Sequence, residues 1–149
     1  MRDERIAMLT GTVALALMLG ALGFQYLGHI TPCEMCHWQR WPLIGAIVIG
    51  LGGGALWKKD ARLLAVAAIL LVAVSGGIGA YQQGMQWGFL PGPSSCTGAR
   101  YVMGSNVTPI IQCDVVTWSL FGISLAGYNG LISLGTAALA SLMLVKNRK

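Results

Sequence analysis

The sequence predicts an all-α membrane protein, a four-transmembrane-helix bundle with both termini cytoplasmic. Three observations carry that prediction. Of 149 residues, 55% are hydrophobic and 10% charged, against about 45–50% and about 25% in soluble chains. The ten Lys and Arg and five Asp and Glu leave four long charge-free windows, at 6–33, 41–57, 63–99 and 115–145. Each window accommodates one span of about 20 residues, and the basic residues between the windows favour one orientation.

The first span reads from 6 to 28. A basic start ahead of an apolar run also suits a cleaved signal peptide, but the run exceeds the roughly 7–15 residues of such a segment, and Gln25 with Tyr26 reads as an interfacial end. The second span, 41–57, is the shortest. Its Ala46, Gly50 and Gly54 are spaced small-xxx-small, which lets a neighbouring helix approach closely where lipid gives no hydrophobic drive. The third span reads from 63 to 84 and the fourth from 118 to 145, where Gly122, Ala126 and Gly130 repeat the small-residue spacing. Outer loops of 29–40 and 85–117 complete a single integral-membrane domain, 1–149, with no internal repeat.

Arg2, Arg5, Lys58, Lys59, Arg62, Lys146, Arg148 and Lys149 all fall on one side of these spans, and that side is predicted to be cytoplasmic. Arg40 and Arg100 on the other side are balanced by Glu34 and Asp114. The formal charge of +5 is therefore an orientation signal, and no nucleic-acid partner is expected.

All four cysteines fall on the outer side, Cys33 and Cys36 in the first loop and Cys96 and Cys113 in the second. An even count on an oxidising side suits disulfide chemistry. Two inert bridges bracing the loops are one reading, that of a structural membrane protein. A C-x-x-C bridge, however, closes too short a loop to constrain the unfolded chain much, and the spacing suits reversible dithiol exchange. Cys33, Cys36 and His37 also spell C-x-x-C-H, the attachment signature of c-type haem. His29 or Met85 would serve as second axial ligand, so a haem electron carrier is the alternative, although the first loop is too short to enclose a haem. Zinc calls for four closely spaced ligands, and Cys96 and Cys113 form no second C-x-x-C, so no metal site is expected.

Arg40 lies four residues after Cys36. If the chain is helical there, the two share a face, and a guanidinium beside Cys36 favours its thiolate, as does the positive end of the second helix. Pro42 prefers the first turn of a helix, which would leave Cys36 and Arg40 in a loop. Arg40 also reads as a headgroup-facing interfacial residue. Trp38, Trp41, Trp57, Trp87 and Trp118 lie near predicted span ends, as interfacial anchors do, with Trp38 the one most expected to touch a ligand. Asn129, deep in the fourth span, reads as an interhelical hydrogen-bonding residue.

Residues 32–40, PCEMCHWQR, then 91–98, PGPSSCTG, then 113–129, CDVVTWSLFGISLAGYN, closely resemble the DsbB family of quinone-coupled disulfide-generating membrane proteins. The resemblance implies a residue-by-residue mechanism. Cys96, paired with Cys113, is attacked by a reduced periplasmic DsbA-like thiol oxidase, and electrons pass by disulfide exchange to Cys33 and Cys36. Cys36 donates to a membrane quinone, ubiquinone or menaquinone, whose oxygen Arg40 holds, with Trp38 a further contact. The resemblance places the chain in the bacterial inner membrane with its cysteines on the periplasmic side. Many relatives carry a histidine where this chain reads Tyr81, Gln82, Gln83 and Gly84, so a histidine's role is not carried over. Residues 97–112 are short and weakly patterned, and no membrane-lying helix is expected there.

Overall fold

The computed structural model describes residues 2–97 and 112–149. Helix α1 (Asp3–Tyr26) is followed by α2 (Glu34–Ile47), a π-helical stretch (Val48–Gly53) and the short α3 (Gly54–Leu56). A 3-10 turn (Lys58–Asp60) leads into α4 (Ala61–Gln86), and strands β1 (Ser119–Leu120) and β2 (Ile123–Ser124) precede α5 (Leu125–Lys146). Among the described residues, three helical runs are long and apolar enough to cross a membrane: Asp3–Tyr26, Lys58–Gln86 and Leu125–Lys146. The second predicted span is built instead from the consecutive pieces α2, π stretch and α3.

Small residues face inward and large apolar ones outward. Ala7, Ala14, Ala46, Ala65 and Ala68 are fully buried, while Leu19, Leu70, Leu139 and Leu142 are more than half exposed. A soluble core reverses that order; in lipid, helices gain by letting their backbones meet. At one crossing a Cβ on Gly50 would stand 2.6 Å from the Ala7 carbonyl oxygen and 2.8 Å from Gly11 Cα. The π stretch falls at this crossing. At another, a Cβ on Gly79 would stand 2.6 Å from the Ala126 oxygen, and one on Gly130 would stand 2.9 Å from the Ala80 nitrogen. Only glycine fits either place.

Two expected boundaries move. Helix α2 begins at Glu34, inside the predicted loop 29–40, so Pro42 lies within the helix and removes one i to i−4 hydrogen bond. Cys36 and Arg40 are thereby on one helix, a turn apart. The fourth helix begins at Leu125 rather than 118. Before it, Ser119 pairs with Ser124 and Leu120 with Ile123 in an antiparallel hairpin, whose turn residues Phe121 and Gly122 have φ of 53° and 76°. Both central residues of a type I′ turn need positive φ, so Gly122 serves this turn and not the helix stripe. Ser124 then caps α5, its Oγ accepting from Gly127 N at 3.2 Å.

Arg62 Nη1 lies 3.6 Å from Asp3 Oδ2, and Asn147 Nδ2 donates to Asp3 Oδ1 at 3.0 Å. These contacts bring both termini and the start of α4 to one end of the bundle. The cysteines occupy the other. The expectations for 97–112 and for Arg100 fall on 98–111, outside the described residues.

Candidate functional site

Cys33 is the N-cap of α2 and Cys36 lies in its first turn. That local geometry turns the two sulfurs toward each other, with Sγ atoms 3.1 Å apart as free thiols. Cys96 and Cys113 form a disulfide with Cα atoms 5.5 Å apart. Both pairs join one buried cluster with Met35 and Met85.

One α4 side chain bridges the pairs. Gln82 Nε2 stands 3.1 Å from Cys33 Sγ, 3.9 Å from Cys36 Sγ and 3.2 Å from the Cys113 carbonyl oxygen. Gln86, a turn later, also donates to Cys113 O, at 3.3 Å. Gln83 faces elsewhere, its Oε1 accepting from Ser124 N at 2.8 Å and Ser124 Oγ at 3.0 Å. The neighbours Gln82 and Gln83 thus do different work: one meets the thiols, the other clamps the start of α5.

The Cys33 thiol is held down to about 6, foremost by the hydrogen bond from Cys36, against burial that raises it, with the Cys36 backbone N–H and the Gln82 amide adding to the lowering. The Arg40 guanidinium reaches across to α1, its Nη1 donating to Gln25 Oε1 at 2.6 Å.

Beside the thiols is a cavity of about 400 Å³, with Cys33, Cys36, Arg40 and Gln86 among its polar lining residues and Phe24 and Ile132 among its apolar ones. A few polar groups converging on an apolar cleft of this size is the ordinary form of a small-ligand site. Gln86 Oε1 is buried and has no hydrogen-bond partner among the described residues. Trp118 lines the cavity, its ring 4.9 Å from that of Phe24. Trp38 lines a separate groove with Met35, Tyr81 and Pro93. His37 is exposed. The structure thus brings Cys33, Cys36 and Arg40 to one cavity and the Cys96–Cys113 bridge against its thiols, while Trp38 stands apart. Sequence reasoning did not single out Gln25 or Gln86 as site residues; the available signal was an amide inside a charge-free window, where a polar side chain needs a partner.

A helical membrane protein with two cysteine pairs in one buried cluster beside an apolar cavity is a membrane dithiol–disulfide protein. The chain belongs to the DsbB family: the family model described as "Disulfide bond formation protein DsbB" matches residues 3–143. It is 30% identical over 145 residues to "Disulfide bond formation protein B" of Azoarcus sp. (strain BH72), covering 90% of this chain and 87% of that one. The protein of the same name from Verminephrobacter eiseniae (strain EF01-2) is 32% identical over 137 residues, 85% of this chain and 77% of that one. That from Paracidovorax citrulli (strain AAC00-1) is 28% identical over 157, covering 96% and 87%. No solved structure matches the chain.

Proposed function

We propose that this protein is an inner-membrane oxidoreductase that reoxidises a periplasmic DsbA-like thiol oxidase and passes the electrons to a membrane quinone. In this reading α1, the α2–π–α3 series, α4 and α5 each cross the bilayer, both termini are cytoplasmic and every cysteine is periplasmic. The observation that carries it is the single Gln82 nitrogen lying within hydrogen-bond distance of both Cys33 Sγ and Cys113 O, which sets the two cysteine pairs side by side.

A partner thiolate attacks Cys96 Sγ, the Cys96–Cys113 bond breaks and Cys113 leaves as thiolate. The partner's second thiol then attacks its own sulfur of the mixed disulfide, closing the partner's disulfide and releasing Cys96. Cys113 attacks Cys33 of an oxidised Cys33–Cys36 pair, expelling Cys36. Cys96 attacks Cys113 in turn, restoring the Cys96–Cys113 bond and leaving Cys33 and Cys36 as a dithiol, the state seen in this structure. A quinone, ubiquinone or menaquinone, supplies the acceptor for the two electrons and two protons released when that dithiol closes again. The cavity residues fit such a group: Arg40, which lines the cavity, would stabilise negative charge on an oxygen, and Gln86 Oε1, without a partner among the described residues, would accept a hydrogen bond from a hydroxyl.

The test is quinone reduction by the purified chain in lipid nanodiscs, supplied with a reduced DsbA-like partner. The expected result is one quinol formed per partner disulfide. Failure of well-folded protein to turn over with either quinone class would overturn the reading.

A further inference from the structure

A row of buried and half-buried side chains runs from the middle of the bundle to Cys33. Ser133 Oγ donates to Asn129 Oδ1 at 3.1 Å, and Asn129 Nδ2 donates to Gln39 Oε1 at 2.7 Å. Gln39 Nε2 donates to Gln82 Oε1 at 2.7 Å, and Gln82 Nε2 donates to Cys33 Sγ at 3.1 Å. Helices α5, α2 and α4 each contribute, and Gln39 and Gln82 are 5% and 2% exposed. Ser75 Oγ fixes the backbone at the middle of the row, donating to Gln39 O at 2.9 Å.

The direction of the row follows from its surroundings. An amide's oxygen and nitrogen are alike in shape, so the network must assign them. The Cys113 carbonyl can only accept, so Gln82 must turn its NH2 toward it at 3.2 Å, and hence toward Cys33. The Gln82 oxygen then needs a donor, which the Gln39 NH2 provides, and the Gln39 oxygen needs the Asn129 NH2. At the far end the Ser75 carbonyl, 3.4 Å from Asn129 Nδ2, demands the same orientation independently. Reversing the row would set oxygen against oxygen at both ends. Every link therefore points its positive end at one sulfur, and aligned hydrogen bonds in a low-dielectric interior strengthen one another.

We propose that the row Ser133–Asn129–Gln39–Gln82 stabilises negative charge on Cys33 Sγ, with Gln39 and Asn129 acting as positioning residues through Gln82. A stabilised reduced form makes the corresponding disulfide the stronger oxidant, so the row draws electrons from the Cys96–Cys113 pair toward Cys33 and Cys36. Among the described residues lining the cavity with Cys33, Arg40 on α2 is the charged side chain, and Cys36 on α2 and Tyr128 on α5 are the other ionisable ones. Glu34 and Asp114 adjoin Cys33 and Cys113 in sequence. Asn129 is uncharged, so its effect reaches the sulfur only through the amides.

The proposal rests on Cys33 being a redox thiol but is measured without partner or quinone, so its failure leaves the function above standing. The full chain in nanodiscs, with Cys33 and Cys36 reduced, is reacted with iodoacetamide across pH, and mass spectrometry follows Cys33. Gln82→Leu is expected to slow alkylation below the wild-type midpoint about tenfold, as loss of a hydrogen bond to a charged group does. Asn129→Leu, which leaves every contact to the sulfur in place, is expected to slow it about twofold through lost polarisation and to move the midpoint up. An unchanged profile in folded Asn129→Leu overturns the row, and an unchanged profile in Gln82→Leu overturns it at its last link. If Asn129→Leu does not accumulate in membranes, Asn129→Ala and Ser133→Ala are read by the same two criteria.

Discussion

The Cys33 thiol, held down to about 6 from an ordinary value of 9.0, makes a prediction whose sign changes with pH. The perturbation is pH itself, applied to the reduced chain and to a short unfolded peptide carrying the same C-x-x-C segment. Cys33 is thiolate above about 6 and loses that form as the pH falls through it. At about pH 5 its thiolate fraction exceeds that of an ordinary thiol by roughly 900-fold, but a three-unit drop in basicity lowers intrinsic nucleophilicity roughly 20-fold, with a Brønsted slope near 0.45. The net advantage toward a small aromatic disulfide is about 40-fold at about pH 5 and about 4-fold at about pH 7. It becomes a disadvantage of about 10-fold at about pH 9, where the ordinary thiol is half ionised and far more nucleophilic. Stopped-flow release of the aromatic thiol, pseudo-first-order in probe, reads this ratio directly. Because the Cys36 hydrogen bond is the largest cause of the lowering, Cys36→Ala should move the midpoint toward the ordinary value, and Cys36→Ser, which keeps a donor, should move it less. A ratio that never crosses one between about pH 5 and about pH 9 would refute the lowering of the Cys33 thiol.

Other expected outcomes concern the proposed roles and the fold. Arg40→Ala should lower quinone reduction by about 10²–10³, the usual loss when a donor to developing negative charge is removed, while leaving disulfide exchange with the partner intact; normal quinone dependence would contradict the role given to Arg40. Cys33→Ser, which leaves the freed Cys113 no disulfide to attack, should stop turnover after one partner disulfide per chain with Cys96 and Cys113 left reduced, and thiol labelling with mass spectrometry would show it. Gly79→Ala puts a Cβ about 2.6 Å from the Ala126 oxygen, an overpacking that costs about 1–3 kcal/mol, and should lower the thermal midpoint in detergent. Gly77→Ala, with nothing within 4 Å, should not. Gln83→Leu should loosen the start of α5 and raise its amide exchange without moving the Cys33 profile.

Much of this protein was legible along the chain because lipid acts locally. A charge is costly in the bilayer, so the charge-free windows mark where α1, α4 and α5 form. The stripe Ala46, Gly50 and Gly54 marks a close crossing because nothing larger fits one. The start of α2 was less legible: Pro42 argues for a helix beginning there, whereas eight residues before it are helical. The stretch after Trp118 is apolar enough for a span but turns as a hairpin, and hydropathy does not distinguish the two.

The helical segments, the segregation of basic residues by side and the spacing of the four cysteines are written along the chain, because each depends on short-range composition against a fixed solvent. Tertiary structure alone decided which polar side chains meet them. Gln39 bonds Gln82 from 43 residues away, Asn129 bonds Gln39 from 90, and Gln82 bonds Cys33 from 49. One glutamine of an adjacent pair turns to the thiols and the other to Ser124, and Trp38 turns to a different groove from Arg40, two residues on. Helices set such directions only when they cross, and the angle at which backbones meet is a property of all of them together.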